Sequence, residues 1–271
     1  MNKFFYISLL LGLITYLIVL AYIYLFQRNL LYHPSVNGYQ GDKINFDYEE
    51  VFIKNNEGIK LKAWFHKKDL INKKTILFFH GNAGDLSNRN YKLNELSKLD
   101  LNFLIFAYRG FSSNQGKPSE QGLYEDARSV FDWLKAKGVK EKNLILYGES
   151  LGTAIAVETG QNKNLAGIIL ESPFTSMVEL AQKYYPFLPV KFLLKDKYET
   201  IKKLPNINSP LLVLHGKLDT IVPFAMGEEL FEQANEPKFK YFIENDDHMM
   251  RYDQNLLGEI KKFIFLSYEK N

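Results

Sequence analysis

The chain has 271 residues, with 34 lysines and arginines against 31 aspartates and glutamates, and no cysteine. That length suits one large core with an appendage rather than two full domains, and the missing cysteine excludes disulfides, thiolate metal sites and a cysteine nucleophile. The net charge of +3 is scattered over separated pairs (Lys67/Lys68, Lys73/Lys74, Lys202/Lys203, Lys261/Lys262) rather than gathered into a band, which argues against nucleic acid as a partner.

The first predicted element runs from Phe4 to Phe26 without a charged residue. As a helix it would reach about 35 Å, enough to cross a hydrocarbon layer of about 30 Å. Lys3 and Arg28 bracket it and tyrosines cluster near its C-terminal end, where an amphipathic ring suits the membrane interface. Residues 4–26 are therefore expected to be a single transmembrane anchor that places the protein in a membrane. A cleaved signal peptide is the competing reading, since Val19 and Ala21 fit a small-residue cleavage rule. The apolar run continues past Ala21 to Phe26, which favours the anchor. Lys3 before the span, with Arg28 and Lys43 after it, does not choose a side.

Residues 27–46, punctuated by Pro34, Gly38 and Gly41, read as a linker to a domain at 47–271. That domain opens with two alternating runs, "YEEVFIK" and "IKLKAWFH", around the turn-forming "NNEG", which predicts an antiparallel hairpin. Short apolar runs then alternate with helix-length amphipathic segments. The predicted strands lie at Thr75–His80, Asn102–Tyr108, Asn143–Gly148, Ala166–Ser172, Pro210–Gly216 and Lys238–Glu244. Strands apolar on both faces alternating with helices imply an α/β fold with a mostly parallel sheet covered on both sides. Ligands in such sheets sit at the carboxyl ends of the strands. Residues 173–205 break the alternation with a proline-interrupted, aromatic-rich helical segment of the size of a small lid.

Gly148-Glu149-Ser150-Leu151-Gly152 follows a predicted strand and enters a predicted helix, the setting in which G-x-S-x-G presents a nucleophilic serine. A strand turning sharply into a helix forces strained torsions on the apex residue, while the flanking glycines allow close approach. The bland alternative is an ordinary strand-to-helix turn. Five histidines could supply a base. His33 lies in the linker and His66 ends an early strand, so both read as structural or exposed. His80 and His215 each end a parallel strand. His248, in "ENDDHMMRYD" after the last strand, stands in a loop able to reach the same edge. Asp219 in "HGKLDTIVP" lies just beyond another strand and is the expected acid, whereas Asp246 and Asp247 are too close in sequence to His248 to buttress its ring. The expected catalytic residues are thus Ser150, Asp219 and His248. The turn "HGNAGD" lacks the spacing of a phosphate loop. It offers the main-chain N–H of Asn82, which with that of Leu151 forms the expected oxyanion hole.

These stretches resemble the α/β-hydrolase family, and within it the Bem46-like group of single-pass, membrane-anchored serine hydrolases. The resemblance is carried by the apolar N-terminal segment with "QRNLLYHP", by "HGNAG" at 80–84 and by "YRGFSSNQGKPSEQGLYEDA" at 108–127. It continues through "GESLGTAIA" at 148–156, "ESPFTS" at 171–176 and "HGKLDTIVP" at 215–223. It implies the α/β-hydrolase fold with an N-terminal antiparallel hairpin, helices on both faces and a small helical lid. It also implies the triad Ser150, Asp219, His248, an oxyanion hole at Asn82 and Leu151, and no cofactor or metal. One departure is "DDHMMR" around the histidine, where family loops often read G-x-H-x-D. The chemistry expected is hydrolysis of an ester or thioester of a small molecule, an acyl-lipid or an acyl-protein. The alternatives are a serine peptidase or amidase, or a catalytically silent membrane-tethered binding protein.

Overall fold

The computed structural model describes residues 3–34 and 42–269. Its first element is the helix α1, Lys3–Leu31, which is apolar enough and long enough to cross a membrane and whose most apolar stretch is not buried. The helix does not stop at Phe26, where the apolar run ends, but continues to Leu31. Immediately after it a two-residue strand β1, His33–Pro34, pairs in parallel with β5, Ala83–Gly84. Part of the expected linker at 27–46 is therefore ordered. Residues 42–45 are held as well, because Asn90 and Asn94 donate their side-chain amides to the carbonyls of Asp42 and Lys43, and Asn94 accepts from the N–H of Asn45.

The expected hairpin is formed by β2 (Glu49–Lys54) and β3 (Lys60–His66). With β4 (Thr75–Phe79), β6 (Asn102–Phe106), β7 (Leu144–Glu149), β8 (Gly167–Glu171), β9 (Leu211–Gly216) and β10 (Lys238–Ile243) it builds one eight-stranded sheet. The order is β10-β9-β8-β7-β4-β6-β3-β2, and only the pairings made by β3 are antiparallel. Every residue of β4, β6, β7, β8 and β9 is buried. Successive side chains point to opposite faces, so both faces of the sheet are covered. The cover comes from α2 (Asn90–Leu96), α3 (Glu120–Ala136), α4 (Leu151–Gly160), α8 (Phe224–Gln233) and α9 (Gln254–Glu269). In the gap between β8 and β9 lie three short helices: α5 (Met177–Tyr184), α6 (Val190–Leu193) and α7 (Thr200–Lys203). This is the segment expected as a lid, and it is called the cap below.

The connection from β4 leads to β6 on one side, whereas β7 lies on the other side of β4. This reversal leaves a crevice at the carboxyl ends of β4 and β7, the place where such sheets accept ligands. The turn after β4 and the residue after β7 meet there.

Candidate active site

Ser150 stands between β7 and α4 with φ 52° and ψ −116°, a left-handed conformation that non-glycine residues adopt only where the surroundings enforce it. The enforcement comes from two close approaches. A Cβ on Gly148 would lie 2.5 Å from the Gly152 carbonyl oxygen, and one on Gly152 would lie 2.0 Å from the Phe79 carbonyl oxygen. The glycines let the strand, the helix and β4 pack at distances that no other residue permits. The Ser150 N–H donates to the carbonyl of Glu171 at 2.8 Å, which locks the apex to β8.

The structure brings the three expected side chains together. His248 Nε2 lies 3.0 Å from Ser150 Oγ, and His248 Nδ1 lies 2.7 Å from Asp219 Oδ2. Asp219 Oδ1 accepts the N–H groups of Ile221 and Val222 at 2.8 and 2.7 Å, so the carboxylate is fixed by its own loop. The residues bordering His248 have other partners: Asp246 binds Arg251, and Asp247 accepts the N–H of Met249. A cavity of about 410 Å³ opens over Ser150, lined among others by Gly81, Asn82, Arg89, Ile221, His248 and Met249.

Comparison with known proteins bears on the fold and the family. An uncharacterized protein of Mycobacterium tuberculosis is 34% identical over 254 residues, which cover 91% of this chain and 90% of that one. The α/β-hydrolase domain-containing protein 17B of Homo sapiens is 31% identical over 229 residues, covering 80% of this chain and 76% of that protein. The chain belongs to the α/β-hydrolase family. A family model described as serine aminopeptidase, S33, matches residues 71–195. The esterase Pf2001 of Pyrococcus furiosus shares the fold, with a TM-score of 0.69 at 19% identity over 87% of this chain and 97% of that one. The Bem46-like resemblance is consistent with the names of the α/β-hydrolase domain-containing relatives.

In this α/β-hydrolase the aspartate has a second imidazole. His215, at the end of β9, points Nε2 at Asp219 Oδ2 (3.2 Å) and at the Val222 carbonyl (3.1 Å). Because a carbonyl can only accept, Nε2 carries the proton. Burial alone would raise the Asp219 carboxyl, but hydrogen bonds from His215 and His248, the charge of His248 and the Val222 N–H outweigh it. The carboxyl is held well below the usual carboxylate range and stays ionised. Sequence reasoning placed His215 at the functional edge but did not connect it to Asp219. The four-residue spacing in "HGKLD" was the available signal.

Asn82 Nδ2 donates to the Leu31 carbonyl at 2.7 Å, and its own carbonyl accepts from His33 N–H at 2.9 Å. Its side chain is thus committed to α1, leaving its main-chain N–H as the group available to the crevice. Leu151 is the first residue of α4, where N–H groups precede the first intrahelical bond.

Beneath the crevice lies a charge cluster that sequence reasoning missed. Glu149 receives Arg89 and Lys92 at 2.7 Å each, and Lys92 also binds Glu171 at 2.5 Å. Tyr147 and Tyr252 donate to Glu171 at 2.6 and 2.5 Å and contact each other. Burial would raise Glu149, yet the charges of Arg89 and Lys92 drive it far below the usual carboxylate range. Burial likewise opposes the charged form of Lys92, and the two glutamates reverse that and raise it. Arg89 also donates to the Ala83 carbonyl at 2.6 Å, joining the residue before Ser150 to the turn that holds Asn82. The signals were a carboxylate at the end of a strand with no other charge and a lysine on the apolar side of a short helix.

Proposed function

We propose that this chain is a serine hydrolase, anchored in a membrane by α1, that cleaves an ester or thioester through an acyl-enzyme. The observation that carries the reading is the continuous relay from Ser150 Oγ through His248 to Asp219, with spacings of 3.0 and 2.7 Å. His248 Nε2 takes the serine proton as Oγ attacks the carbonyl, then returns it to the leaving group. Asp219 accepts from Nδ1–H, which sets the tautomer and stabilises the imidazolium. The N–H groups of Asn82 and Leu151 serve the developing oxyanion, each at about 3 to 4 kcal/mol. Water, activated by the same histidine, releases the acyl group. The α/β-hydrolase domain-containing relatives and the esterase Pf2001 support a hydrolase.

The test is hydrolysis of p-nitrophenyl esters of graded chain length by the full chain in detergent, beside Ser150→Ala and labelling with a fluorophosphonate probe. Loss of at least about 10³-fold in kcat with loss of labelling is expected. Unchanged turnover in Ser150→Ala would refute the nucleophile. The serine aminopeptidase description of the matching family model favours a second reading, an amidase. It predicts faster turnover of aminoacyl amides than of the matching esters.

A further inference from the structure

The cap grips α1 along its length rather than only at its end. Tyr16 Oη donates to the Phe187 carbonyl at 2.9 Å. Gln27 donates to the Leu193 carbonyl and accepts the Lys195 N–H, at 3.0 and 2.7 Å, and Arg28 forms a two-pronged pair with Asp196 at 2.9 and 3.0 Å. At 1.5 Å per residue, Tyr16 stands about 16 Å from Gln27 along the helix axis. The tip of the cap therefore lies beside the middle of the apolar span. A helix that crosses a membrane carries its neighbour at that level into the same layer.

The tip has the composition of a segment that enters lipid. Between Lys183 and Lys191 the chain reads Tyr-Tyr-Pro-Phe-Leu-Pro-Val, with Phe187 70% exposed and Tyr185 52%, and just beyond it Phe192 is 84% exposed. Backbone carbonyls are expensive in hydrocarbon unless paired. The contact at Phe187 is made by the Tyr16 hydroxyl, from the middle of the uncharged run of α1. Lys183 and Lys191 have no acidic partner among the described residues, and Lys195 lies over the Tyr24 ring at 4.1 Å. Cations beside interfacial rings suit anionic headgroups. A cleft of about 250 Å³ between α1 and the cap is lined by Ile23, Leu30, Ala181, Tyr185, Leu188 and other residues. From the tip, Tyr184 Oη donates to the carbonyls of Thr220 and Ile221, and Ile221 forms part of the wall over Ser150.

We propose that the cap tip, residues 184–189, is inserted in the bilayer leaflet beside α1 and leads an acyl chain from that leaflet to Ser150. The proposal rests on the membrane reading of α1 and adds the source of the substrate: an ester dissolved in the membrane rather than in water. The bound partner is a bilayer containing anionic lipid.

The experiment places the full chain in vesicles of phosphatidylcholine and phosphatidylglycerol with brominated acyl chains. Trp64 and Trp133 are replaced by phenylalanine, and single tryptophans are introduced as Phe187→Trp, Leu13→Trp in α1 and Ile71→Trp on the exposed surface far along the chain. Quenching of Phe187→Trp comparable to that of Leu13→Trp, with Ile71→Trp unquenched, is the expected result. Quenching at position 13 without quenching at 187 overturns the proposal and leaves the anchor intact. Quenching at neither overturns both. As a second measurement, Phe187→Glu should lower turnover of a long-chain ester embedded in vesicles about tenfold and leave p-nitrophenyl acetate unchanged. An equal effect on both substrates would also overturn it.

Discussion

Asn82 closes the C-terminal end of α1: its side-chain amide donates to the Leu31 carbonyl at 2.7 Å, while its main chain pairs with His33. The last carbonyls of a helix have no partner within it, so this bond supplies one of them. The same residue carries the N–H proposed for the oxyanion, so the position of that donor is tied to the end of α1. In Asn82→Ala the side-chain tie is gone and the main-chain N–H remains. We expect kcat toward a soluble ester to fall about tenfold with KM nearly unchanged, because the loss concerns the transition state. The mutant should also lose about 1 kcal/mol of stability. Steady-state kinetics decide it, and an unchanged kcat would separate α1 from catalysis.

That tie also shows where sequence reading reached its limit. Strands β4, β6, β7, β8 and β9 are legible because both faces are buried, which leaves nearly continuous apolar runs. Ser150 is legible for a local reason, since glycines on either side of an apex residue record the close packing at 148 and 152. Asp219 and His248 follow from lying after later strands of the same sheet. The stretch Gln27–Leu31 reads as linker because its composition turns polar after Phe26. It stays helical because Gln27 and Arg28 find partners in the cap, at Leu193, Lys195 and Asp196. No local pattern encodes a contact across so much chain. The cluster around Glu149 escaped for the same reason, since each charge looks like solvated surface until its partner is in view.

Glu149 offers a stability test. It is 6% exposed and faces two cations, Arg89 and Lys92. Removing one partner from a buried ion pair leaves a charge that neither water nor protein compensates, typically at a cost of about 3 to 5 kcal/mol. Glu149→Ala should fall in that range by urea unfolding in detergent at pH 7. Lys92→Met should cost at least as much, because it leaves the fully buried Glu171 with only the two neutral tyrosine donors, whereas after Glu149→Ala Lys92 keeps Glu171. A clearly smaller loss for Lys92→Met than for Glu149→Ala would contradict the cluster as described.

His80 gives the protein a pH dependence of known sign. Burial, helped by the nearby Arg89 charge, lowers its imidazole from 6.5 to about 3, so the folded protein keeps it neutral. Between these values the unfolded chain binds a proton that the native state does not. Its contribution to stability is therefore complete above about pH 6.5 and declines as pH falls toward 3, by up to about 1.4 kcal/mol per pH unit. Nδ1 donates to the Gly81 carbonyl at 2.7 Å, and an asparagine amide can supply that donor. His80→Asn should therefore flatten the urea-midpoint curve between pH 6.5 and 4.5, above the range where most carboxylates titrate. An unchanged slope would mean that His80 is protonated in the fold.

The last test concerns His215, which touches no substrate and acts through Asp219. Its ring is fully buried, and Gly227 makes room for it, since a Cβ there would lie 2.1 Å from Nδ1. Nε2–H is shared between Asp219 Oδ2 and the Val222 carbonyl, so it holds the carboxylate oxygen that also receives His248. His215→Leu removes that donor while keeping an apolar side chain in the space. His215→Gln places an amide donor near the position of Nε2. If the histidine is a positioning group, the leucine variant should lose about tenfold in kcat with little change in KM, and the glutamine variant should recover most of it. A purely structural role predicts that both variants follow their stability instead. Kinetics measured beside thermal unfolding in the same detergent distinguish the two, and equal kcat for leucine and wild type would remove His215 from the catalytic apparatus.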